Sequence, residues 1–309
     1  MQVHVISVWL QHPWAGLGDL IRGTMHLCDL SREFQFKLTV DTRFHPMSKY
    51  LAVSEHTEQS DYVLQNKDKV HDFVNGDITR MRDVIKNAMN AGQVEPVLIL
   101  SNLTERMFVP PHYQSAQFIR NLLLPTHEFQ STFNQMCKTH RISKNYSILH
   151  FRMGVESLVN HHHHTAKYRH LLNMVDSNID NNTYIISDSH AFKQFLCQAR
   201  PHLATQVMMT KPIHLSHSTE KDTELIVDTM FDFFLISNAT VIKTYTNYTW
   251  VSGFVKWVSC AFGIPLINLN FQKVSHKHNT HDQLQEFTFS KKPITQMRTH
   301  LKPMLFIKS

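Results

Sequence analysis

Eight glycines and four cysteines in 309 residues leave little of either to spend. The cysteines, Cys28, Cys137, Cys197 and Cys260, lie far apart and form no CxxC or Cys/His zinc spacing. A disulfide scaffold and a zinc module are thereby excluded, and free thiols in a reducing compartment are expected. No run approaches the ~20 apolar residues that cross a bilayer. The opening "MQVHVISVWLQHPW" has no basic n-region, so it reads as a first strand and a soluble, cytoplasmic protein is expected. Lys and Arg exceed Asp and Glu by a net charge of +6, but they form no dense stripe. That balance argues against nucleic acid and suits small anionic ligands such as nucleotides.

What is present is alternation. Apolar, β-branched runs predict strands over 3–10, 36–41, 96–102, 146–152, 183–188, 206–210, 239–245 and 265–270. Between them, helical spacing of apolar residues predicts helices over 20–34, 77–92, 115–125, 126–140, 166–175, 190–199, 219–237 and 251–263. Such alternation implies α/β layers with parallel sheets. The pattern breaks around 126–146. The expected architecture is two Rossmann-like domains facing across a cleft, residues 1–140 and 141–309.

Three stretches have chemical possibilities. "GLGD" (16–19) places Gly16 and Gly18 at a strand-to-helix turn, where backbone N–H groups can approach an anion. It is not GxGxxG, because position 21 is Ile, so a dinucleotide cofactor is weakly supported. Arg22, one turn on, can point back to the same place. "HFRMG" (150–154) sets His150 and Arg152 on one face of a strand end by the strand's period of two. A guanidinium there matches phosphate oxygens, and Gly154 lets the chain turn sharply. A surface ion pair beside a core histidine explains the same residues. "YTNYTWVSGF" (245–254) is a hydroxyl-rich turn in which Thr246 and Thr249 suit phosphate oxygens, and Thr249 or Ser252 suits a helix cap. The tract His161–His164 is expected to be a solvated loop, since four consecutive imidazoles cannot face one ion.

Taken in order, these stretches resemble the fucosyltransferase superfamily of α1,2-, α1,6- and protein O-fucosyltransferases. The family's Gly-x-Gly-[Asn/Asp] turn is matched by "GLGD" and its His-x-Arg strand end by "HFRMG". A Leu-Pro break is matched by "IRNLLLPTHEFQSTF", a Ser-Asp strand end by "YIISD", and a hydroxyl/aromatic turn by "TNYTW". The resemblance implies a GT-B-like fold and metal-independent, inverting transfer of fucose from GDP-fucose to a glycan or other hydroxyl acceptor, with no further cofactor. It implies that Arg152 neutralises the departing β-phosphate, with His150 lining the same pocket and Asp188 on guanine or ribose. Thr246 and Thr249 would hold the diphosphate, Gly16 and Gly18 would admit it, and Arg22 would be a second cation. One departure matters. Val155 stands where an acid often follows the His-x-Arg strand, with Glu156 next, so the general base stays open between Asp19 and Glu156. Another nucleotide-sugar transferase, or a non-catalytic binding protein of this fold, are the competing readings.

Overall fold

The computed structural model describes residues 2–13, 15–74, 76–102, 111–154, 165–248 and 251–270, with backbone alone at 165–169, 217 and 220. Two four-stranded parallel sheets organise the chain. The first contains β1 (His4–Val8), β2 (Lys37–Asp41), β3 (His71–Phe73) and β4 (Val97–Ser101) in the order β2-β1-β4-β3. The second contains β5 (Ser147–Arg152), β6 (Thr183–Ser187), β7 (Val241–Thr246) and β8 (Leu266–Asn268) in the order β6-β5-β7-β8. The α/β class with paired parallel sheets is as expected. Strands β4 and β6 are buried along their whole length, which is why they read as continuous apolar runs and do not alternate.

Helices α1 (Leu17–Phe34), α2 (Tyr62–Gln65), α3 (Ile78–Asn90), α4 (Tyr113–Leu122) and α5 (His127–Thr139) precede β5. Helices α6 (Thr165–Asn178), α7 (His190–Ala199), α8 (Thr223–Ser237) and α9 (Gly253–Phe262) follow it. Caps set several boundaries. Asp77 accepts the N–H of Thr79, Thr126 that of Phe129 and Ser189 that of Phe192, each satisfying a donor that the first helical turn leaves without a partner.

Three expectations are corrected. Residues 206–210 are not a strand. They make a single parallel bridge, Ile185 to Val207, and the chain then peels away toward Pro212, which has no N–H to give a ladder. Strand β3 is unforeseen because its three residues, His71, Asp72 and Phe73, are too short and polar to show a period. The glycine turn is also no separate turn. Gly16 is the N-cap of α1, and Gly18 and Asp19 already lie in its first turn.

A continuous apolar cluster joins the halves. Leu17, Leu20, Ile21 and Met25 of α1 share it with Val255, Trp257, Val258 and Ala261 of α9 and with Phe231, Phe233 and Phe234 of α8. Phe129 and Phe133 of α5 pack on Phe234 and Phe231 of α8 with ring centroids 5.6 and 5.4 Å apart. At Gly18 the two halves come close. A Cβ there would lie 2.5 Å from the backbone carbon and oxygen of Gly253, so only glycine lets α1 and α9 meet.

Candidate active site

In the second sheet the chain runs from β5 outward to β6, returns past β5, and continues to β7 and β8 on the other side. Where strand order reverses, the following connections diverge and leave a crevice at the strands' carboxyl ends, the usual ligand position of such sheets. Arg152 and Thr246, the last residues of β5 and β7, are register partners at that point. A cleft of about 230 Å³ opens there. Its walls come from both halves: Gly16, Gly18, Asp19 and Arg22 of the first, and His150, Arg152, Asp188 and Ser252 of the second.

Asp188, just past β6, organises the second wall. Its Oδ2 accepts from Arg152 at 2.7 Å and from the Gly154 N–H at 3.2 Å, and its Oδ1 accepts from the Met153 N–H at 2.7 Å. Gly154 delivers that amide with φ of +109°, a conformation that L side chains rarely adopt. Burial pushes the Asp188 carboxyl above its ordinary range, and Arg152 with the two amides opposes the rise. Only one guanidinium nitrogen is spent on Asp188, and the Arg152 side chain stays 20% exposed, so a cation is anchored yet open to the cleft. His150 is a different kind of group. It is buried, its Nδ1 is 3.0 Å from Thr244 Oγ1, and burial and then Arg152 push its pKa down to about 3. It lines the cleft as a neutral imidazole.

On the opposite wall, Asp19 Oδ2 accepts from the Gly16 N–H at 3.0 Å while Oδ1 lies 3.0 Å from Arg22. Burial raises the Asp19 carboxyl, countered first by Arg22. Arg22 is only 2% exposed. Its Nε donates to the Asn102 carbonyl, and the guanidinium lies over the Trp257 ring, 5.9 Å from its centroid.

The hydroxyl turn divides. Ser252 lines the cleft at the start of α9, whereas Thr246 Oγ1 turns inward to accept the Tyr248 N–H at 3.1 Å and does not line it. Thr249, Glu156, Val155 and the His161–His164 tract lie outside the described residues.

The cleft also contains residues that sequence reading did not find. Lys256 and Trp257 of α9 line it, and burial lowers the Lys256 ammonium. Tyr248 and His214 line it from loops. Asp232 of α8 reaches it from within the core: both oxygens accept from the Thr210 hydroxyl at 3.0 and 3.1 Å, and burial raises its pKa to about 7 against the pull of Lys193. Lys193 is itself fully buried and donates to the Thr210 carbonyl. A lone acid in the apolar run "TMFDFFLIS" and a lone lysine in "HAFKQFL" were the available signals.

Among the described residues no group of three or more His, Cys, Asp or Glu is arranged for a metal ion, and no helix is long and apolar enough to cross a membrane. No protein-family model matches the chain, and no curated protein matches it. Solved structures do. A NodZ α-1,6-fucosyltransferase soaked with GDP-fucose is similar at a TM-score of 0.54 and 12% identity, covering 88% of this chain and 96% of that one. A mutant of Arabidopsis thaliana FUT1 in complex with GDP is similar at 0.55 and 10% identity, covering 87% and 71%. POFUT1 in complex with GDP is similar at 0.52 and 9% identity, covering 86% and 98%. At such identities the likeness is one of fold, and it fits two Rossmann-like units facing across a cleft.

Proposed function

We propose that the protein is a glycosyltransferase that moves fucose from GDP-fucose to a glycan or other hydroxyl acceptor by inverting displacement. The observation that carries the reading is Arg152, held by Asp188 at the strand-order reversal and open toward a cleft whose far wall is the start of α1. As the bond from the sugar C1 to the phosphate oxygen breaks, the leaving diphosphate gains charge. A fixed cation stabilises that charge more than it stabilises the intact donor, which is the condition for catalysis. Lys256 and the N-terminal turn of α9 at Ser252 add positive potential to the same cleft. In this reading residues 141–309 grip the nucleotide, residues 1–140 face the acceptor, and the charge neutralisation often supplied by a metal ion comes from Arg152 and Lys256.

The structural neighbours solved with GDP or GDP-fucose support the choice of donor. Thermal denaturation with GDP, UDP and GDP-fucose tests it. GDP at 100 times its dissociation constant should stabilise the fold by about 2.7 kcal/mol, and EDTA should leave the shift unchanged. Selective stabilisation by UDP, or a shift that vanishes with EDTA, refutes this donor or this means of neutralisation.

A further inference from the structure

An inverting transfer needs a group that takes the acceptor's proton. The carboxylates lining the described cleft each already accept hydrogen bonds from the protein. Asp19 serves the Gly16 amide and Arg22, Asp188 serves Arg152 and two amides, and Asp232 serves the Thr210 hydroxyl. His150, bonded to Thr244 and beside Arg152, is held as a weak base. The other imidazole on the described cleft wall is His214.

His214 sits on a segment fixed from both halves of the molecule. The Ile213 N–H donates to Thr229 Oγ1 of α8 at 2.8 Å. Gln11, in the loop after β1, donates to the Leu215 and Ser218 carbonyls at 2.9 and 2.8 Å. The ring is oriented by a hydrogen bond between Nδ1 and Ser216 Oγ. Its Nε2 edge turns to the bare face of Gly16: a Cβ placed there would be 3.2 Å from His214 Nε2 and 3.6 Å from Asp19 Oδ2. Imidazole and carboxylate thus flank one side-chain-free face at the cleft wall opposite Arg152.

We propose that His214 Nε2 is the base that deprotonates the acceptor hydroxyl, on the bare face of Gly16 that the Asp19 carboxylate also borders; this rests on the transferase reading above. The acceptor oxygen bonds to the sugar C1 while the C1–O bond to the β-phosphate breaks. The bonding pair leaves with the diphosphate, and the hydroxyl proton passes to Nε2.

Hydrolysis of GDP-fucose, with water as acceptor, tests the step without knowledge of the natural acceptor. His214→Gln should lower the turnover of bound donor by about 100-fold or more, with KM for GDP-fucose within about threefold, because the nucleotide contacts lie on the other wall. Azide, a nucleophile with no proton to lose, should restore glycosyl transfer in His214→Gln to near the wild-type azide rate. Ser216→Ala, which frees the ring but keeps the imidazole, should show a smaller loss that azide also rescues, and it serves if His214→Gln does not fold. Unchanged hydrolysis in His214→Gln, or equal losses with water and azide, overturns the role of His214 while leaving the donor assignment standing. Failure of the wild type to bind GDP or to turn over GDP-fucose overturns both.

Discussion

Two arginines reach the cleft from opposite walls, each paired with an aspartate, and their surroundings give them different work. Arg22 is enclosed: Asp19 at one nitrogen, the Asn102 carbonyl at another, Trp257 beneath it, and 2% exposure. Arg152 gives one nitrogen to Asp188 and keeps 20% of its side chain exposed toward the cleft. The first charge is consumed by the protein and ties α1 to the end of β4 and to α9. The second is anchored at one end and available at the other. Residue type alone does not separate a structural cation from a ligand-binding one. The number of donors left over does.

The largest expected effect tests the enclosed member. Arg22→Met leaves the buried Asn102 carbonyl and the 31%-exposed Asp19 carboxylate without their guanidinium partner, and the about 3–5 kcal/mol lost when one member of a fully buried pair is removed sets the upper limit of the cost. Denaturant unfolding should register that loss while the folded fraction still binds GDP. Normal stability with lost GDP binding would exchange the roles of the two arginines. Next comes the open member. Arg152→Ala should lower GDP-fucose turnover by about 10²–10³, equivalent to ~2.7–4 kcal/mol of transition-state stabilisation. Its unfolding free energy should fall by less than that of Arg22→Met, because Asp188 keeps its two amide donors. A turnover loss below about threefold would remove Arg152 from the mechanism.

A smaller effect is expected at the seam between the walls. Gly18→Ala forces a Cβ against the Gly253 backbone, and overpacking of this kind costs about 1–3 kcal/mol. A melting temperature equal to wild type would show that α1 and α9 yield easily.

The smallest effect contrasts two buried histidines, one in each half. His45 and His150 both have pKa values pushed down to about 3 by burial. Each binds a proton more readily when unfolded. Their contribution is therefore present above about pH 6.5 and is lost as pH falls toward 3, at no more than ~1.4 kcal/mol per pH unit each. Among the described residues His45 Nε2 has no hydrogen-bond partner and Nδ1 accepts only the Met47 N–H, at a long 3.5 Å, so His45→Leu should cost little at neutral pH while flattening the acid slope by one proton. An unchanged slope between pH 6 and 4 would refute this.

The alternation of strands and helices was legible because buried parallel strands are apolar runs and the helices between them have their own period. What failed to show was local brevity, as at β3, and local departure from a sheet edge, as at 206–210. At the site, the His150 and Arg152 strand end was readable from a period of two, and Gly16 with Gly18 from their place between a strand and a helix. The partners were not. Asp188 meets Arg152, and Lys193 approaches Asp232 through Thr210, only because separate strands and helices bring their ends together, and no spacing along the chain encodes that. Gly18 was read as room for a ligand, and it lines the cleft, but its missing side chain is also what lets two helix backbones touch.

That contact bears on how the molecule can move. A hinge between lobes needs a compliant joint, and here bare backbone abuts bare backbone inside apolar packing shared by both sheets. Exchange of a ligand must then fall to the loops at the rim, with the two halves staying clasped. Calorimetry should accordingly record a single cooperative transition in which both sheets come apart together.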